Sequence, residues 1–237
     1  MMSFEGRVSI VTGGTSGIGA ASAELLAREQ STVVVCGRSA ERGASFVDAM
    51  KEKGLEVFYE PADCSVESDV ERLFASVVDR FGGVDHLFSN AGFEHAESHA
   101  DTTKEIWDRI IANDLTSTYM VLRYAIAPLT ARGRGSIVVM SSMVASIAYG
   151  FAAAFIPAQA AKEGMVRNLA AELGPRGIRV NGIAPGSTRT PSLIRFYERY
   201  SGGVAAGEQW SAVRTPLGRI AEPSEMAEAV ALSLIHI

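Results

Sequence analysis

Cysteine is scarce in this chain: Cys36 and Cys64 are the only two in 237 residues. Two thiols make no disulfide framework, which argues against a small secreted scaffold and for a reducing cytoplasm. Both read as small buried hydrophobes. Positive charge is also short, with 22 lysines and arginines against 27 acids and a net charge of −5. A general nucleic-acid binder needs a basic surface, so that class is excluded. The N-terminus "MMSFEGRVSIV" has no basic segment ahead of its apolar run, so no secretory signal is expected. The one long uncharged stretch, 136–161, is broken by Ser141, Ser142, Ser146, Gly150, Pro157 and Gln159. It reads as a strand, a loop and a helix, and no membrane span is expected.

Histidine numbers only four. His95 and His99, in "FEHAESHAD", are four apart, but no glutamate directly follows the first, as the zinc-protease pattern requires. A third neutral ligand is not evident, so no metal is expected. The segment reads as a solvated loop near a substrate mouth, and His86 as structural. No G-x-S-x-G elbow surrounds Ser141 or Ser142, which excludes that kind of hydrolase.

What the chain does have is alternation. Short β-branched runs ("RVSIVT", "TVVVCG", "LEVFYE", "VDHLFSN", "GSIVVMS", "IRVNGIA") are separated by longer helical patterns. The strands are apolar throughout, as in a sheet covered on both faces. The pattern predicts a doubly wound α/β Rossmann fold: one parallel sheet, right-handed crossovers and helices on both sides. With 47% hydrophobic residues and no linker or repeat, residues 1–237 read as one domain. Residues 187–223 read as an irregular loop region, long enough to be functional, that would shape a substrate site. A Ser65 N-cap is expected for the third helix and a Ser224 N-cap for the last.

"VTGGTSGIG" joins the first strand to the first helix. Gly13 permits the tight turn, Gly17 lets a pyrophosphate approach the backbone, and Gly19 lets helix pack against sheet; Thr15, Ser16 and Ile18 complete the turn. The helix N-terminus then offers N–H groups and a positive dipole end to phosphate, so dinucleotide binding is expected. After the second strand comes "CGRSAER": Gly37 stands where an acid would bind the 2′-hydroxyl of NAD, and Arg38 follows. An arginine suits a 2′-phosphate, so NADP(H) is favoured over NAD(H).

With these residues the chain resembles the short-chain dehydrogenases/reductases over nearly its whole length. Asn90-Ala91-Gly92 is similar to the family's Asn-Ala-Gly, and Asp63 to the acid that contacts the adenine. Asn113 matches the asparagine of the catalytic tetrad, and Ser142 its serine. Pro185, Gly186, Thr188 and Thr190 lie in "RGIRVNGIAPGSTRT", which looks like the turn that holds the nicotinamide. The resemblance implies hydride transfer between nicotinamide and a small-molecule carbonyl or alcohol, a tyrosine that trades the proton, a lysine that holds the ribose, and a homo-oligomer. It also implies a seventh strand and a "DGG"-like turn, yet this sequence stops at "ALSLIHI". The expectation is a fold lacking its C-terminal strand, with an exposed edge that invites aggregation.

The family's spacing forward from Ser142 and back from "RGIRVN" agrees on the tyrosine and lysine positions, and they hold Phe155 and Gln159. Phenylalanine keeps the ring and loses the titratable group. Glutamine keeps a polar tip that can still touch a ribose. Lys162 is about 300° around the helix from 159 and is not expected to substitute. Tyr149 lies in the preceding loop. Three readings follow: an oxidoreductase with impaired catalysis, a non-catalytic NADP(H)-binding relative acting as sensor or partner subunit, and an altered copy of an active parent.

Overall fold

The structure is a computed structural model that describes residues 4–92, 96–147 and 150–235. The chain runs β1 (Val8–Thr12), α1 (Gly17–Arg28), β2 (Thr32–Gly37), α2 (Ala40–Glu52), β3 (Val57–Pro61), α3 (Glu67–Phe81) and β4 (His86–Ser89). It continues through α4 (Lys104–Ile110), a π-helical turn (Ile111–Thr116), α5 (Ser117–Ala131), β5 (Gly135–Met140), α6 (Phe155–Leu173) and β6 (Ile178–Ile183). Helices α7 (Pro191–Tyr200), α8 (Val204–Ala212) and α9 (Pro223–Ile235) complete it.

The six strands form one parallel sheet in the order β3-β2-β1-β4-β5-β6, as the alternation predicts. Each sheet face carries a core. On one, Ile10, Val34, Leu87 and Ile137 pack with Leu73, Val77 and Leu129 of α3 and α5. On the other, Val11, Val33, Val35 and Phe88 pack with Leu26 of α1 and Val230 of α9. The inner strands β1, β2, β4 and β5 are buried almost throughout, so no polar alternation is visible in them, whereas the edge strand β6 alternates: Ile178 and Val180 are buried, Arg179 and Asn181 only half-buried. Strand order reverses between β1 and β4, and a crevice for ligands opens at the carboxyl ends of the strands there.

Three local expectations change. Ser65 does not cap α3: its hydroxyl donates to Asp63 Oδ1 (2.7 Å), and Asp69 in the first turn accepts from the Asp63 backbone N–H (2.9 Å). Helix α9 starts at Pro223, ahead of Ser224, because proline's fixed φ and missing N–H suit a first helical position. Residues 187–223 are not irregular throughout, since they hold α7 and α8. Thr190 caps α7, accepting from Leu193 N–H (3.2 Å), and Pro191 follows it.

At the far end, Arg179 of β6 donates to the carbonyls of Ser233 (2.7 Å) and Leu234 (2.6 Å), which ties the C-terminus of α9 to the sheet. No helix among the described residues is long and apolar enough to cross a membrane.

Candidate active site

The turn after β1 is built around its neighbours. Asn90, just past β4, donates from Nδ2 to the carbonyls of Thr12 (3.0 Å) and Gly13 (3.3 Å). The Thr12 hydroxyl in turn accepts from the N–H groups of Asn90 and Ala91, both at 3.0 Å. Gly13 and Gly17 have φ of +63° and +56°, where side chains are disfavoured. A Cβ on Gly19 would fall 2.4 Å from the Gly13 carbonyl oxygen and 2.6 Å from Asn90 Nδ2. Gly19 therefore lies under the turn and lines neither cavity. Ser16 precedes α1 without a side-chain capping bond. The first-turn N–H groups of α1 are thus left for a ligand.

Two adjoining cavities open along the strand ends. The larger, about 600 Å³, is walled by Gly13, Thr15, Ser16, Gly17, Ile18, Arg38, Asp63, Asn90, Ala91, Gly92, Asn113 and Thr190. Asp63 accepts from both the backbone N–H (2.9 Å) and the hydroxyl of Ser65, which fixes its carboxylate at the cleft edge. The smaller, about 250 Å³, is lined by Ser142, Phe155, Gln159, Pro185, Gly186 and Thr188, and shares Ile18, Asn90, Gly92 and Thr190 with the first. Met140, Met143, Phe196, Tyr197 and Trp210 make its wall apolar and aromatic.

Ser142 follows β5, and its Oγ lies 3.5 Å from Val144 N, a loose contact that leaves the hydroxyl available. Ser141 instead faces α6, with its hydroxyl 3.3 Å from both the Gln159 carbonyl and Glu163 Oε1. Entry to α6 is held by the N–H groups of Ala152 and Ala153, both donating to the Glu97 carbonyl (3.0 and 3.1 Å). Ala152 takes a left-handed φ of +76° there, a conformation that costs energy in a residue with a Cβ and clusters at functional sites.

Lys162 lies on the same face of α6 as Gln159, against the geometric ground on which it was set aside. A step of 300° is also one of −60°, and from Phe155 to Lys162 is nearly two full turns, so the three residues share a face. Phe155, Gln159 and Lys162 all line the smaller cavity, with Gln159 and Lys162 each 2% exposed. Lys162 Nζ lies 3.4 Å from Asp114 Oδ1, and the two carry side-chain exposures of 3% and 1%. Burial lowers the Lys162 pKa from its ordinary value, and the Asp114 carboxylate opposes that shift.

Asp114 is the second residue that sequence reasoning missed. From the π-helical turn it is Asp114 that reaches the smaller cavity, while Asn113 lines the larger cleft and donates from Nδ2 to the Arg109 carbonyl (2.8 Å). Such turns recur at functional sites. A signal existed: "NDLTS" offers two adjacent polar residues, and only one can face inward.

Tyr149 and His95 lie outside the described residues. Among the described residues no group of three potential metal ligands gathers. His86 stands in β4, its Nδ1 2.7 Å from Ser136 Oγ and its ring edge-on to Phe4, away from both cavities. Burial depresses its pKa to about 4. Cys36 and Cys64 are buried with sulfurs 3.9 Å apart. Their mutual contact, then burial, raises the Cys36 pKa well above the usual thiol range.

The donor set fits a dinucleotide: an uncapped helix N-terminus beside the glycine turn, arginine after β2, and a fixed carboxylate further along. Gln159 Oε1 is buried without a hydrogen-bond donor. Such an acceptor is costly unless a ligand hydroxyl or amide satisfies it.

The family model described as "Enoyl-(Acyl carrier protein) reductase" matches residues 13–234. The chain is 34% identical over 229 residues to cis-4-hydroxycyclohexanecarboxylate dehydrogenase of Sinomonas cyclohexanicum, covering 96% of this chain and 89% of that protein. It is 35% identical over 227 residues to an A-factor type gamma-butyrolactone 1′-reductase of Streptomyces virginiae, covering 95% and 87%. Among solved structures, an actinorhodin polyketide ketoreductase variant with NADPH superposes with a TM-score of 0.91 at 32% identity, over 96% of this chain and 89% of that one.

Proposed function

Because this chain belongs to the short-chain dehydrogenase/reductase family, we propose that it binds NADP(H) in the larger cleft, takes a small carbonyl or alcohol in the smaller cavity, and carries out their interconversion only weakly. The nicotinamide would supply or accept the hydride. The Ser142 hydroxyl holds the substrate oxygen. Gln159 Oε1 accepts from a hydroxyl or amide of the bound ligand. Lys162, neutralised by Asp114, places a buried cation beneath the cavity, in the role the family gives its lysine; Asp114 takes the inward place first expected of Asn113. The apolar aromatic wall suits a neutral substrate. Residues 187–223 supply the aromatic part of that wall, Phe196 and Tyr197 from α7 and Trp210 from α8.

The observation that carries the reading is the inward face of α6: Phe155, Gln159 and Lys162, with no phenol. Among the described residues the cavity's tyrosine is Tyr197, and its hydroxyl is engaged 2.5 Å from Ser211 Oγ. Loss of a positioned acid typically lowers rate by about 10²–10⁴. The same observation favours a second reading, in which the chain is a cofactor-binding sensor or partner subunit without turnover.

NADPH titration and a reductase assay on this chain and on Phe155→Tyr/Gln159→Lys test the proposal. Binding in both is expected, with turnover strong in the double variant and weak in the parent chain. Fast NADPH-dependent turnover by the parent chain would overturn impaired catalysis. Binding without any turnover in either protein favours the sensor.

A further inference from the structure

The larger cleft is lined by four arginines from two separate segments of the chain. Arg38 and Arg42 come from the end of β2 and the start of α2; Arg195 and Arg199, spaced i,i+4 on one face, come from α7. The only carboxylate among the described lining residues is Asp63, already bonded to Ser65. Elsewhere arginines grip acids: Arg28, Arg72, Arg80, Arg123, Arg189 and Arg219 are each in an ion pair. Among the described residues, no ion pair engages any of the four cleft arginines. Unpaired like charges around one cleft repel, and an anion between them removes that cost.

Helix α7 is well placed to respond. Its N-terminus abuts the glycine turn: a Cβ on Gly17 would lie 3.1 Å from Thr190 Cγ2 and 3.9 Å from Pro191 Cδ. Arg195 and Arg199 follow one and two turns further along, at about 5.4 Å per turn. The same helix turns Leu193 and Tyr197 to the substrate cavity, and Phe196 lines both spaces.

We propose that Arg195 and Arg199 form a phosphate latch. They bind a phosphate of the dinucleotide from a different segment than Arg38 and Arg42, and so fix the helix that walls the substrate cavity. This rests on the reading that the cleft takes NADP(H), and it adds residues that the family resemblance did not supply. The latch makes cofactor phosphate a condition for an ordered substrate wall.

The test uses Arg195→Gln/Arg199→Gln and, separately, Arg38→Gln/Arg42→Gln, with NADPH and NADH as probes and nucleotide fluorescence as readout. The α7 variant should bind NADPH at least about tenfold more weakly, the scale of losing charge-assisted hydrogen bonds. A parallel loss for NADH assigns the latch to the pyrophosphate; a loss confined to NADPH assigns it to the 2′-phosphate. Saturating NADPH should slow amide exchange across 191–200 in the parent chain and not in the α7 variant. Unchanged affinity for both nucleotides in the α7 variant, or equal slowing of exchange in both proteins, overturns the latch. A parent chain that binds neither nucleotide overturns the dinucleotide reading itself.

Discussion

Lys162 Nζ lies 3.4 Å from Asp114 Oδ1, and both side chains are buried beneath a cavity that Phe155 and Gln159 also line. The pair joins α6 to the π-helical turn ahead of α5. It puts a cation where α6 lacks a phenol to go with it.

Phe155→Tyr alone should raise carbonyl reduction by about 10²–10⁴, the usual worth of a positioned acid. Lys162, two turns along the same face, already supplies the cation that would lower the new phenol's pKa. Steady-state kinetics decide this: a rate that rises only when Gln159→Lys is added would show that Lys162 does not serve.

Lys162→Met should destabilise the fold by about 3–5 kcal/mol, because it leaves the Asp114 carboxylate buried without its cation. Adding Asp114→Leu should recover most of that loss. Urea denaturation of the single and double variants measures both. Equal stability of Lys162→Met and the double variant would remove the pair from any structural role.

His86 should make the fold acid-sensitive. Its folded pKa is pushed to about 4 by burial, below the usual 6.5. The unfolded chain therefore takes up a proton first as pH falls, so stability is full above pH 6.5 and declines from there towards pH 4. The total is roughly 3 kcal/mol at 1.36 kcal/mol per pKa unit. His86→Gln should flatten this slope in denaturation midpoints taken between pH 4 and 7. An unchanged slope would assign the sensitivity elsewhere.

Gly19→Ala should disrupt the turn. Its Cβ would clash with the Gly13 carbonyl and Asn90 Nδ2, and overpacking of this kind costs about 1–3 kcal/mol. Because Asn90 holds the turn in shape, NADPH affinity should fall along with the melting temperature. Calorimetry with and without nucleotide checks both; a variant with full affinity would show that the turn gives way freely.

The strands and their order of use were legible in the amino acids alone. β-Branched runs stand out where inner strands are buried on both faces, and glycines are forced where backbone meets backbone, as at Gly13 and Gly19. That α6 carries no tyrosine was equally legible, since residue type needs no coordinates. What tertiary structure decided was direction. Whether Lys162 enters the cavity depends on the phase of α6 around its axis, which the loop after Ser142 and the Glu97 carbonyl set through Ala152 and Ala153. Whether Asn113 or Asp114 points inward depends on a π-turn that shifts helical phase, and no spacing rule records it. The two arginines of α7 came into the cleft by the same cause: a chain of 237 residues fixes which side chains exist, and only packing between distant segments fixes which of them face one another.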